Sequence, residues 1–172
     1  MAEERELLLA DADVLIDYVA SDLAILALAS EHIGQVHVLE QTLATVENLS
    51  ERECQKQGIK VIDVDTNVLV AAGAKSGPLS FEDWLCLIVC RERAWSCLTN
   101  DRALRRVCRK AGVRVRRGLG LMVDLVRSGA ISEKRALLVA RAIHEDNPHH
   151  INDRVLRAFH RAIGGEEGAD PP

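Results

Sequence analysis

The sequence predicts an α/β fold, a three-layer αβα sandwich on a central parallel sheet of about five strands, with extra helices at the C-terminal end. Three observations carry that expectation. Short apolar runs alternate with segments of helical spacing from residue 6 to residue 117, the order that gives right-handed βαβ crossovers and a sheet covered on both faces. Gly34, Gly58 and Gly112 each stand just ahead of a strand-like run, where a helix would stop. From Gly118 onward the pattern is helical alone.

The elements follow in order. Glu6 to Ala10 is a short apolar run that ends at Asp11, consistent with a buried strand, and Val14 to Val19 then carries apolar residues at helical spacing. Asp22 can cap a helix through Glu31 that is apolar on nearly every side, the mark of a helix buried in the core or set in a homodimer interface. Val36 to Leu39 reads as a strand, Thr42 to Gln57 as a helix ended by Gly58, and Ile59 to Val64 as a β-branched strand. Gly77-Pro78 breaks the chain, and Ser80 with Asp83 three residues later begins a helix reaching about Arg93. Trp95 to Leu98 is the next strand, Asn100 caps a helix from Asp101 to about Lys110, and Val113 to Val115 is a last short strand. Gly129 and Pro148 punctuate the helical C-terminal part.

With 172 residues, 48% hydrophobic and 28% charged, the chain can bury a core without disulfides or structural metal. One domain over residues 1–163 is expected, followed by a disordered tail at 164–172. No apolar stretch is long enough to span a bilayer. The acidic start (MAEERE) is unlike a secretory signal, so the expected location is the cytosol. The five cysteines show no C-x-x-C spacing and read as reduced thiols. Cys86 and Cys90, four apart on one helix face, are capable of binding metal but are weighted toward small buried fillers. His144, His149 and His150 flank Asn147-Pro148 and are expected in exposed loop and helix-start positions.

Net charge is −4 and pI about 5.9, which argues against binding nucleic acid by bulk electrostatics. The charge is nevertheless polarised: between Arg102 and Arg117 there are eight basic residues and no acid. Such a strip is either a solvated helix face or a track for a phosphate backbone running past an acidic site.

In open parallel α/β sheets ligands bind beyond the carboxyl ends of the strands. Four acids are expected at that edge: Asp11 after the first strand, Glu47 in the helix after the second, Asp83 in the first turn of the helix before the fourth, and Asp101 after the fourth. Each also has a plain structural role open to it, as a cap, a first-turn acid or a solvated residue. Converging carboxylates repel one another and are tolerated when cations neutralise them, and oxygen-only ligands favour Mg²⁺ or Mn²⁺. Thr99 and Asn100 are candidates for metal-bound water or phosphate, or for turn and capping roles.

Four segments resemble PIN-domain ribonucleases, including VapC-type toxins: LLADADVLID from Leu8 to Asp17, TVENL from Thr45 to Leu49, LSFEDWL from Leu79 to Leu85, and LTNDRAL from Leu98 to Leu104. The resemblance spans residues 6–117, and the stretch from Gly118 to Ile131 is similar to a helical continuation in some of these proteins. It implies a metal-dependent endoribonuclease in which Asp11, Glu47, Asp83 and Asp101 are the catalytic, metal-binding acids. Asp13 stands where that family often has Ser, Thr or Asn, and so adds a possible fifth acid. Arg102, Arg105, Arg106 and Arg109 would contact the RNA backbone. An antitoxin protein would be the partner if the chain is a toxin. Asp65-Thr-Asn-Val-Leu69 also resembles the family's opening strand, but leaves too little chain before Asp101 and is read as a decoy. The alternative is a non-catalytic PIN-like module that binds RNA or protein. The classes absent from the sequence include P-loop, G-x-G-x-x-G, G-x-S-x-G and H-E-x-x-H proteins.

Overall fold

A computed structural model describes residues 5–164. Five strands, β1 (Glu6–Ala10), β2 (Gly34–Leu39), β3 (Lys60–Ile62), β4 (Ser96–Leu98) and β5 (Val115–Arg116), form one sheet in the order β3-β2-β1-β4-β5. Every pairing is parallel. Between the strands run α1 (Ala12–Ala20), α2 (Ala24–His32), α3 (Glu40–Leu43), α4 (Glu51–Lys56), α5 (Thr66–Gly73), α6 (Phe81–Arg93) and α7 (Arg102–Lys110). Three further helices, α8 (Gly118–Arg127), α9 (Glu133–Asp146) and α10 (Asp153–Ile163), complete the described chain.

The strand residues alternate between two cores, as the period-two geometry of a pleated strand requires. Leu8, Ala10, Val36, Val38 and Leu98 join one core with α1, α2 and the three C-terminal helices. Leu9, Leu39 and Cys97 join the other with α5, α6 and α7. The result is the expected three-layer sandwich, with the C-terminal helices thickening one outer layer. The apolar helix α2 goes to the core, where Ile25, Leu26 and Ala29 are buried. Among the described residues no helix is long and apolar enough to cross a membrane.

Several boundaries differ from the sequence expectation. The single helix expected from Thr42 to Gln57 is two short ones, because Asn48 takes a left-handed conformation (φ 59°) and Ser50 with Glu53 forms a capping box that starts α4 afresh. Asn100 does not cap α7. Asp101 does, through Leu104 N at 2.6 Å. α2 ends at His32 with Ile33 as its C-cap, and Gly34, next in the chain, opens β2 beside Glu6, where a Cβ would lie 2.4 Å from the Glu6 carbonyl oxygen. Only glycine permits that approach. Residues 66–73, given no element by the sequence reading, form α5, with the decoy Asp65 at its N-cap position. Of the tail expected from residue 164, Gly164 closes α10 and 165–172 lie outside the described residues.

Candidate functional site

Strand order places a topological switch at the centre of the sheet. From β1 the chain builds outward to β2 and β3, then returns to place β4 on the other side of β1. Crevices at such points lie outside the carboxyl ends of the strands. Here a cleft of about 280 Å³ opens, lined by Asp11, Ala12 and Asp13 beyond β1, Thr42 and Thr45 beyond β2, Ser80, Glu82 and Asp83 at the start of α6, and Asp101 beyond β4.

Three of the four expected acids therefore meet, and each is held by local helix chemistry. Asp11 is the N-cap of α1 and accepts from Val14 N at 3.0 Å. Asp83 closes the capping box of α6, accepting from Ser80 N at 3.0 Å while Ser80 Oγ accepts from Asp83 N at 3.1 Å. Asp101 caps α7. Three helix N-termini thus converge on the cleft, and their partial positive charges favour the anions they carry. Both readings of these acids hold at once: they cap helices and they line a cleft.

Thr99 ties two of them together. Fully buried, its hydroxyl donates to Asp11 Oδ2 and accepts from Asp101 N at 3.0 Å. Burial pushes the Asp11 pKa well above the ordinary aspartate value, against the Thr99 and Val14 hydrogen bonds, and neighbouring Asp13 adds to the rise. Burial likewise raises Asp83, which also feels Asp101. A cation in the cleft would relieve both. The lining offers carboxylate and hydroxyl oxygens and no sulfur or imidazole, which suits a hard ion. No three of these carboxylates lie mutually within 4.8 Å among the described residues. That spacing suits an ion that keeps much of its water and takes one or two carboxylates directly.

Glu47 stands apart. It is exposed, in the turn between α3 and α4, and does not line the cleft. The expected helix around it is the one broken at Asn48. Asp13, on the cleft wall, is closer to the expected fifth-acid role.

The basic strip adjoins this cleft. Arg102, Arg105, Arg106, Arg109 and Lys110 of α7 line a groove of about 690 Å³ in which Asp101 also takes part. Arg117, half-buried, has its pKa pushed down to about 10 by burial and by the like charges of Arg105 and Arg109. Crowded guanidinium groups of this kind are relieved by an anion. Arg116 faces inward instead, bonding Glu6 through Nε at 3.1 Å and Nη2 at 2.7 Å, and Asp124 at 2.7 Å.

The sequence reading missed Asp17. The residue is 2% exposed, and its carboxylate accepts from Asn100 Nδ2 and Asn147 Nδ2, both at 3.0 Å. Asn100 in turn accepts from Gly118 N at 3.0 Å, so its role is to fix the C-terminal helices to the loop after β4. The available signal was an acid set in the apolar face of α1, between Leu15 and Tyr18. His149 and His150 are exposed as expected, while His144 is half-buried and contacts the Ile151 carbonyl and Asp153.

Among solved structures, a PilT N-terminus domain protein from the hyperthermophilic archaeon Sulfolobus solfataricus P2 superposes with a TM-score of 0.53 over 69% of this chain and 92% of that one, at 12% sequence identity. The fold is PIN-like. No family model matches the sequence, and no curated protein matches it. The PIN-like fold accounts for the sheet and its flanking helices; at this identity it assigns no chemistry to individual residues.

Proposed function

We propose that the chain is a divalent-cation-dependent endoribonuclease that hydrolyses RNA phosphodiester bonds. The observation that carries this reading is the double position of Asp101, which lines both the acidic cleft and the arginine groove of α7. A phosphate backbone lying along the groove would pass the carboxylates.

In this reading Asp11 and Asp101 hold the principal ion and Asp83 completes the set. Asp13 supplies the further carboxylate that the exposed Glu47 does not bring to the cleft. Bound Mg²⁺ or Mn²⁺ supplies Lewis-acid activation of water and neutralises charge at the phosphate. Thr99 fixes the Asp11 carboxylate, and Arg102, Arg105, Arg106 and Arg109 hold the backbone by charge-assisted hydrogen bonds. With five aromatic residues in the chain, base stacking contributes little, and substrate choice rests on shape and hydrogen bonding. If the enzyme is the toxin of a toxin–antitoxin pair, the partner covers the cleft and sets an arginine against its acids.

A second reading has a specific observation in its favour. The carboxylates are loosely spaced and Glu47 is outside the cleft, which is what a non-catalytic PIN-like module binding RNA or protein would show. A cleavage assay on mixed RNA with Mg²⁺, Mn²⁺ or EDTA separates the two. For the enzyme, Asp11→Asn and Asp101→Asn, verified as folded by their melting curves, each lower the rate by more than about 100-fold, beyond the range for residues that merely support a ligand. Absence of cutting by the wild type with either ion favours the module.

A further inference from the structure

Four of the five cysteines collect on one face of the sheet. Cys86 and Cys90 of α6, Cys97 of β4 and Cys108 of α7 are all buried in the core that these elements share, whereas Cys54 lies in the opposite core. The Sγ atoms of Cys86, Cys90 and Cys97 lie mutually within 4.8 Å, and the Cys86 and Cys97 sulfurs are 3.5 Å apart. Ligands at about 2.3 Å from a tetrahedral zinc ion are separated by about 3.8 Å, so the thiols already stand near the spacing that coordination requires.

We propose that Cys86, Cys90 and Cys97 form a buried three-thiol site for a thiophilic d¹⁰ cation, Zn²⁺ or Cu⁺. Two elements supply the thiols: adjacent turns of α6 present two and β4 the third. Cys108 of α7 is buried in the same core but is not among the sulfurs that lie mutually within 4.8 Å. As simple fillers the thiols gain little from one another, since S–H groups are weak donors and sulfur a weak acceptor. As ligands they exchange their protons for the metal, and the released free energy is folding free energy. The site is chemically separate from the oxygen-lined cleft, although Cys86 follows Asp83 by one helical turn. It does not depend on nuclease activity.

Because the sulfurs are buried, the metal is loaded during synthesis. Full-length protein is expressed in medium supplemented with zinc, copper or cobalt, purified through EDTA to strip ions from the carboxylates, and assayed by elemental analysis and absorption spectroscopy. The proposal expects about one retained equivalent per chain, with the zinc and copper cultures identifying the native ion. The Co²⁺ form is expected to show near-ultraviolet thiolate-to-metal charge transfer. Cys54→Ser keeps the metal; Cys86→Ser and Cys97→Ser lower its content at least about tenfold. Should those variants not fold, the wild-type cobalt spectrum decides. Folded wild type with less than roughly a tenth of an equivalent in every culture, or a cobalt form without thiolate bands, overturns the proposal.

Discussion

Replacing Thr99 by Val keeps the volume and shape of the side chain and removes the hydroxyl that joins Asp11 to the Asp101 amide. The position is fully buried. Two partners are then stranded. Hydrogen bonds to charged groups contribute about 1.5–3 kcal/mol and neutral ones about 0.5–1.5 kcal/mol, so the expected loss is roughly 2–4 kcal/mol. With a urea m-value near 2 kcal/mol/M, the midpoint moves down by about 1–2 M at unchanged slope. Thr99→Ser keeps the hydroxyl and gives up one methyl, about 0.8 kcal/mol. Urea titrations of the three proteins at neutral pH measure the difference. A Val variant within about 0.5 kcal/mol of wild type, or a Ser variant as damaged as the Val variant, would show that the hydroxyl does not couple the two acids.

Gly34→Ala forces a Cβ against the Glu6 backbone in the β1–β2 ladder and should cost about 1–3 kcal/mol in urea or thermal unfolding, more than an alanine at the open Gly58 turn would cost through clash alone. Asp11 has a folded-state pKa above its unfolded value, so the folded chain holds a proton that the unfolded chain releases, and its contribution to stability is lost as pH rises from about 4 through the folded pKa. Asp11→Asn should therefore flatten the stability profile over that window and stabilise the ion-free protein at pH 7 by roughly 0.5–2 kcal/mol; parallel profiles for the two proteins in urea titrations would contradict this. Arg105→Ala with Arg109→Ala should reduce the slope of log K against log salt for single-stranded RNA by about 0.7 per lost phosphate contact, measured by fluorescence anisotropy, while an unchanged slope removes α7 from the RNA path.

Much of the fold was legible because its signals are local. The apolar runs at Leu7 to Ala10 and Val36 to Leu39 are buried strands, and Ser80 with Asp83 is a capping box at the expected place. The break at Asn48 was not legible, since a left-handed residue inside a run of good helix formers leaves no periodic trace. Sheet order was not legible either, because it depends on which strands meet across long stretches of chain. The same holds for Asp17, whose partners Asn100 and Asn147 are 83 and 130 residues away. Of the site, Asp11, Asp83 and Asp101 could be found by asking which acids follow strands or start helices. Glu47 could not be judged that way, because its position depended on a helix that does not form.

The sheet's outer margins are brief: β3 has three residues and begins with the exposed Lys60, and β5 has two. A second copy approaching either flank finds few unpaired amides to zip onto, and a lysine in the way at one of them. Parallel strands assemble slowly and leave such flanks bare while they do. The short margins therefore protect the chain most during synthesis, when strand-to-strand polymerisation competes with folding.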